Sequence, residues 1–231
     1  MIGATNNRLL GHLNDRERES LMSGGETVRL RAGETLSDTG RPITHAYFPL
    51  NCAITMLVSA AGQPELEIGL VGREGMLGIP LILGVPAASF RGVVQGAGSA
   101  WRVEAKRFAR DLDSNSTLRK CLLKYAHVRA VQIAHTAACR SFHRVEARLA
   151  RWLLMSRDRA RSDELTLTHE GLACTLGVRR AGVSLAAGAL QARHLIRYAR
   201  GHIELLDSHG LEAVACPCYA GEKKIYARFL R

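Results

Sequence analysis

Arg179 and Arg180 open a stretch in which Val183, Ala187 and Leu190 recur at helical spacing, so Arg180, Ala181 and Ser184 share the opposite face. A guanidinium can give two parallel hydrogen bonds to a planar pair of acceptors. On a helix lying in a DNA major groove that pair is O6 and N7 of guanine. Arg180 is therefore the candidate base reader, with Ala181 beside it on the groove-facing side. Arg179, Ser184, Thr168 and His169 are placed to contact phosphate, and Arg200 and His202 further along can add to them.

Two other groups of residues could hold a metal. His135, Cys139 and His143 fall at i, i+4 and i+8, which would align three ligands on an unbroken helix. The helix is expected to end near Cys139, which breaks that alignment. Cys216-Pro-Cys218 supplies a second pair, but two cysteines alone do not complete a tetrahedral site. The expectation is no metal, with the six cysteines (52, 121, 139, 174, 216 and 218) as free thiols. Gly182-Val-Ser184-Leu-Ala186 has the outline of a hydrolase nucleophile elbow, but that motif needs a strand before its serine and here a helix is expected. No phosphate-binding G-x-x-x-x-G-K-[ST] loop or H-E-x-x-H pair occurs. The chain is not expected to be an enzyme.

The elements that must hold these residues follow from periodicity. Thr168 can cap a short helix with Leu172, Ala173 and Leu176 on its apolar face, and Gly177 stops it before the second helix. The segment 196–207 alternates around Arg200-Gly201 and predicts a two-stranded wing. This is a winged helix-turn-helix. Upstream, helical spacing over 6–23 predicts a short helix pair. Seven strand-like runs then follow, from Thr27 to Val103, separated by turn signals such as Ala32-Gly33 and Gly96-Ala97-Gly98. Such a series predicts a β-sandwich or jelly roll.

From Ser116 a long helix is expected to carry Leu123, Ala126, Ala130, Ile133 and Ala137 at alternating spacings of 3 and 4, a seam for a second copy of the chain. A stripe of Leu118, Cys121, Tyr125 and Val128 lies on another face and would meet the strands. A further helix over 144–160 should bury Val145, Leu149, Trp152 and Leu153 and turn its arginines outward. The fold class is thus α+β, divided as a jelly-roll sensor domain (1–114), a connecting and dimerisation helix (115–140) and a winged helix-turn-helix domain with a short tail (141–231).

The net charge is +11. Through Cys139 there are 16 basic and 12 acidic residues, and from Arg140 onward 16 and 9. Positive charge is denser where the helix-turn-helix lies, which favours a polyanionic partner. The uncharged run Gly75 to Phe90 is broken by Pro80 and Pro86 and is too short to cross a bilayer. No membrane association is expected. Without a secretory leader pattern at its start, the chain is expected in the cytoplasm.

The frame L-x-x-x-L-G-V-x-R at 172–180, the apolar-spaced helix ending in Leu195-Ile196 and the glycine-turned hairpin resemble the winged helix of the Crp-Fnr bacterial transcription regulators. The order of jelly roll, long helix and winged helix matches that family over about 200 residues. FPLNCAITML and VGREGMLGIPLILG also resemble the ligand domain of one branch. The resemblance implies a cyclic-nucleotide-binding-like first domain and a homodimer on double-stranded DNA, with RNA polymerase as a further candidate partner. It matches Arg180 to an arginine the family often uses on bases, whereas Ala181 and Leu185 stand where glutamate and a second arginine are common.

In members that bind cyclic nucleotides, a G-E-L segment holds the ribose and an Arg-Ser pair the phosphate. Gly78-Ile79-Pro80 lacks the acid, and Arg91 is displaced by one residue, which turns a strand side chain to the other face. Cyclic nucleotide is not expected. An iron-sulfur cluster is not expected either, because the first cysteine is Cys52. No other cofactor is evident. The alternatives are a winged-helix adaptor that binds protein, and a metal- or redox-responsive sensor using the Cys and His residues near the hinge or tail.

Overall fold

A computed structural model describes residues 6–60 and 62–230. A 3-10 turn, Leu10–His12, precedes α1 (Asp15–Met22), where Asn14 and Glu17 form a reciprocal capping box. The helix pair expected over 6–23 is thus one turn and one α-helix, although the apolar spacing marks the right residues: Leu9, Leu10, Leu13 and Leu21 are all buried.

The seven alternating runs are seven strands: β1 (Gly25–Leu30), β2 (Thr35–Ser37), β3 (His45–Pro49), β4 (Ala53–Val58), β5 (Leu66–Val71), β6 (Arg91–Gly96) and β7 (Gly98–Glu104). They form two antiparallel sheets, ordered β1-β7-β3 and β2-β6-β4-β5, with the short α2 (Ile79–Ile82) between β5 and β6. Ile54, Val71, Val94 and Ala100 fill the space between the sheets. Phe48, Trp101 and Phe108 fill a second core on the outer side of the three-stranded sheet, under α3 (Ala105–Ser114).

The long helix α4 (Ser116–Phe142) begins at Asn115, whose side chain accepts from the Leu118 N–H at 2.9 Å. Leu118, Leu122, Tyr125 and Val128 are buried against the roll. The Tyr125 hydroxyl donates to the Met76 carbonyl at 3.1 Å, and a Cβ at Gly75 would lie 2.1 Å from that hydroxyl, so glycine is required there. The helix does not end at Cys139 as its sequence suggested. It continues to Phe142, and the hinge is His143-Arg144.

The second half comprises α5 (Val145–Ala160), β8 (Glu164–Thr166), α6 (His169–Leu176), α7 (Arg180–Ala192), β9 (Ile196–Ala199), β10 (His202–Leu205), α8 (Ser208–Val214) and α9 (Cys218–Phe229). Leu149, Leu153, Leu172, Val183, Leu190 and Ile203 are its core. Three expectations are corrected here. The wing has three strands, because β8 pairs with β10 as β9 does. The tail is two helices, and α9 packs across α4 and α5. The arginines of α5 do not all face outward: Arg148, Arg151 and Arg159 are buried because each meets an acceptor from a distant part of the chain.

Candidate nucleic-acid interface

The helix-turn-helix is built by local capping. The Thr168 hydroxyl accepts from the Gly171 N–H at 3.1 Å to start α6, and Gly177 ends it with φ of 62°, in the left-handed region. Three residues later α7 begins. Burial of Val183, Ala186, Ala187 and Leu190 turns Arg180, Ala181, Ser184 and Leu185 outward, with Arg179 exposed at the helix start. Leu185 is 77% exposed, an apolar side chain held in water on the face that carries the arginines.

His169 is tied to this face. Its Nδ1 lies 3.2 Å from the Ser184 hydroxyl, and its ring meets Tyr198 edge-on at 4.6 Å. Tyr198 is in turn anchored by donating to the Leu167 carbonyl at 2.8 Å. Nothing in the strand periodicity marks Tyr198 as a support, since alternation places it only as a half-buried residue. Arg200 and Gly201 both have positive φ, 50° and 84°, and make the tight turn of the wing, with Arg200 and His202 exposed. Thr168 is exposed at the foot of this turn. All eight candidate residues lie in the helix-turn-helix and wing, where His169 contacts Ser184 and the Gly201 turn lies beside Thr168. Among the described residues, Arg179, Arg180 and Arg200 have no acidic partner, whereas Arg193 pairs with Glu146 at 3.5 Å.

The helix-turn-helix is joined to the jelly roll through Glu67 on β5. Its buried carboxylate accepts from Thr55 at 2.7 Å, from Trp152 Nε1 of α5 at 3.0 Å and from Thr175 of α6 at 3.3 Å. Burial pushes this carboxyl above the usual glutamate range despite those donors. Arg140 adds bonds to the Glu67 and Thr175 carbonyls, the latter at 3.0 Å.

Between the roll and α4 lies a cavity of about 270 Å³ lined by Met56, Leu77 and Phe90 on one side and by Ala126, Ala130 and Ile133 on the other. Three of the expected seam residues therefore also form a cavity wall; Leu123 and Ala137 are exposed. Gly78-Ile79-Pro80 contributes only backbone and apolar groups to this cavity. Arg91 does not line it and pairs instead with Glu65 at 2.7 Å. His135 is exposed and stands apart from Cys139 and His143, which gather with Cys216 and Cys218 instead.

Residues 147–214 match the family model described as the Crp-like helix-turn-helix domain. Solved structures extend the likeness to the whole chain. A transcriptional regulator of the Crp/Fnr family from Eubacterium rectale superposes with a TM-score of 0.69 at 17% identity, covering 89% of this chain and 96% of that one. FixK2 from Bradyrhizobium japonicum gives 0.69 at 13%, covering 83% and 98%. The c-di-GMP-responsive global regulator CLP from Xanthomonas campestris gives 0.67 at 15%, covering 84% and 100%. No curated protein matches the sequence. The chain has the Crp/Fnr-type regulator fold, a cyclic-nucleotide-binding-like roll followed by a Crp-like helix-turn-helix. Among the described residues, no helix is long and apolar enough to cross a membrane.

Proposed function

We propose that this chain is a sequence-specific DNA-binding transcription regulator that acts as a homodimer on an imperfect palindrome. The observation that carries the proposal is the outer face of α7, where Arg179, Arg180, Ala181, Ser184 and Leu185 are exposed and the two arginines have no acidic partner among the described residues. Arg180 reads a base edge and Leu185 offers an apolar surface to a thymine methyl, while Arg179, Ser184, Thr168, His169, Arg200 and His202 meet phosphates. Dimerisation along the exposed side of α4 would set two recognition helices about 34 Å apart, one turn of the duplex.

A signal reaches α7 from the roll through Glu67, which joins β5 to α5 and α6. The wall of the cavity is mostly apolar and carries no acidic side chain, and its one arginine, Arg129, is held by the Leu70 carbonyl and Gln132, which supports an effector other than a cyclic nucleotide. The chain is not an enzyme on this reading.

Footprinting on genomic fragments, followed by titration of the protected site at several salt concentrations, tests the proposal. Affinity should fall steeply with salt. Arg180→Ala should cost about 1–3 kcal/mol at the true site and little on random DNA. Retention that ignores salt would favour the protein-binding adaptor, and equal weakening on both DNAs would remove Arg180 as a base reader.

A further inference from the structure

The last turn of α4 and the link between α8 and α9 bring four soft or borderline ligand atoms together. The Sγ atoms of Cys139, Cys216 and Cys218 and a ring nitrogen of His143 all lie within 4.8 Å of one another. Cys139 and Cys216 are 3.5 Å apart, and Cys218 Sγ is 3.6 Å from His143 Nδ1. A tetrahedral ion with metal–sulfur distances of about 2.3 Å and a metal–nitrogen distance of about 2.0 Å holds its donors between about 3.5 and 3.8 Å apart. Small side-chain rotations therefore suffice to close the set around one ion. An iron-sulfur cluster interposes several atoms between its cysteines and needs them further apart.

We infer that Cys139, His143, Cys216 and Cys218 form a closed four-ligand site for a thiophilic, tetrahedral divalent metal ion of the zinc class.

The surroundings fit such an ion. Cys139 and Cys216 are buried and the other two ligands half-buried, so no ligand position is open to substrate, as in a structural rather than a catalytic site. Three thiolates and a neutral imidazole around a dication leave one net negative charge. Arg151 Nη1 points at Cys139 Sγ from 3.5 Å and offsets it, which is an outer-shell role. The ligands come in two pairs from segments 77 residues apart, which the backbone already ties through the Cys216 N–H and the Ala147 carbonyl at 3.3 Å. An ion here would fasten α9 to the hinge between the long helix and the helix-turn-helix domain. This inference stands independently of DNA binding.

The test uses the full chain, reduced with a thiol-free reductant under anaerobic conditions, loaded with Zn2+ or Co2+ and freed of excess metal. About one ion per chain should be retained by the wild type and by Cys121→Ser, which lies outside the set. Cys218→Ser combined with His143→Asn should bind at least tenfold more weakly. The Co2+ form should show tetrahedral visible bands and thiolate-to-metal charge transfer. Zn2+ should raise the unfolding midpoint of the wild type and not that of the double variant, whose own folding is checked by circular dichroism. Equal uptake by wild type and double variant would overturn the inference. So would a Co2+ spectrum without thiolate charge transfer, or a Cys139–Cys216 disulfide that persists under the reductant with no metal retained.

Discussion

Two sets of arginines, one on α5 and one on α7, have opposite fates in the same half of the molecule. Arg151 and Arg159 are buried: Arg159 pairs with Glu74 at 2.8 Å and lies 3.8 Å from Glu222, and Arg151 pairs with Glu222. Arg179 and Arg180 stand in water, without an acidic partner among the described residues. A buried guanidinium must be matched, and matching it fixes the geometry of every segment that supplies a partner. An exposed guanidinium stays hydrated and free to meet an outside anion. The first set therefore organises the chain, and the second is available for work.

That contrast can be broken in order of expected effect. Arg159→Ala should destabilise the protein by about 3–5 kcal/mol in denaturant unfolding, because Glu74 would be left largely buried without its cation and Glu222 would keep only Arg151. Arg180→Ala should leave the same unfolding curve unchanged and lower only operator affinity. A large stability loss for Arg180→Ala, or none for Arg159→Ala, would undo the distinction.

Glu67 sharpens the comparison from the acidic side, since its buried carboxylate has hydroxyl and indole donors but no ion pair among the described residues. Its proton is held more firmly in the folded chain than in the unfolded one. Its contribution to stability is thus fully present below the ordinary glutamate value of 4.5 and is lost as pH rises through the higher folded value. Glu67→Gln should flatten that decline in a pH series of unfolding measurements, whereas an unchanged slope would assign the decline to another group. The smallest effect expected is that of Leu185→Ala. It should weaken the operator less than Arg180→Ala does, and only at a site where replacing one thymine by uracil has the same effect, which a footprinting titration can show.

Much of this was legible in the sequence where structure is local. The strands of the roll announce themselves by period-two runs and glycine turns, and Thr168 and Gly177 bracket α6 by capping chemistry that acts over a few residues. The buried arginines were not legible, because their partners are remote: Arg159 and Glu74 are 85 residues apart, and Arg151 and Glu222 are 71 apart. An arginine in isolation is rightly expected in solvent. The helix α9 was missed for a related reason. Its buried positions are Tyr219 and Glu222, so an apolar stripe does not mark it. The two halves of the thiol-histidine cluster were each visible as spacing, but their union depends on where α9 docks.

The position of Glu222 also has a bearing on how the protein is made. The helices α4 and α5 emerge from the ribosome before α9, so Arg151 and Arg159 exist for a time without one of their carboxylates. The roll, complete by then, can fold first, as N-terminal units commonly do during synthesis. The second half cannot set its final packing until α9 has been added. Premature stop codons that spare every residue of the helix-turn-helix and wing should still yield a chain whose second half is loosely held, and a tag placed on α9 would act on the hinge it braces.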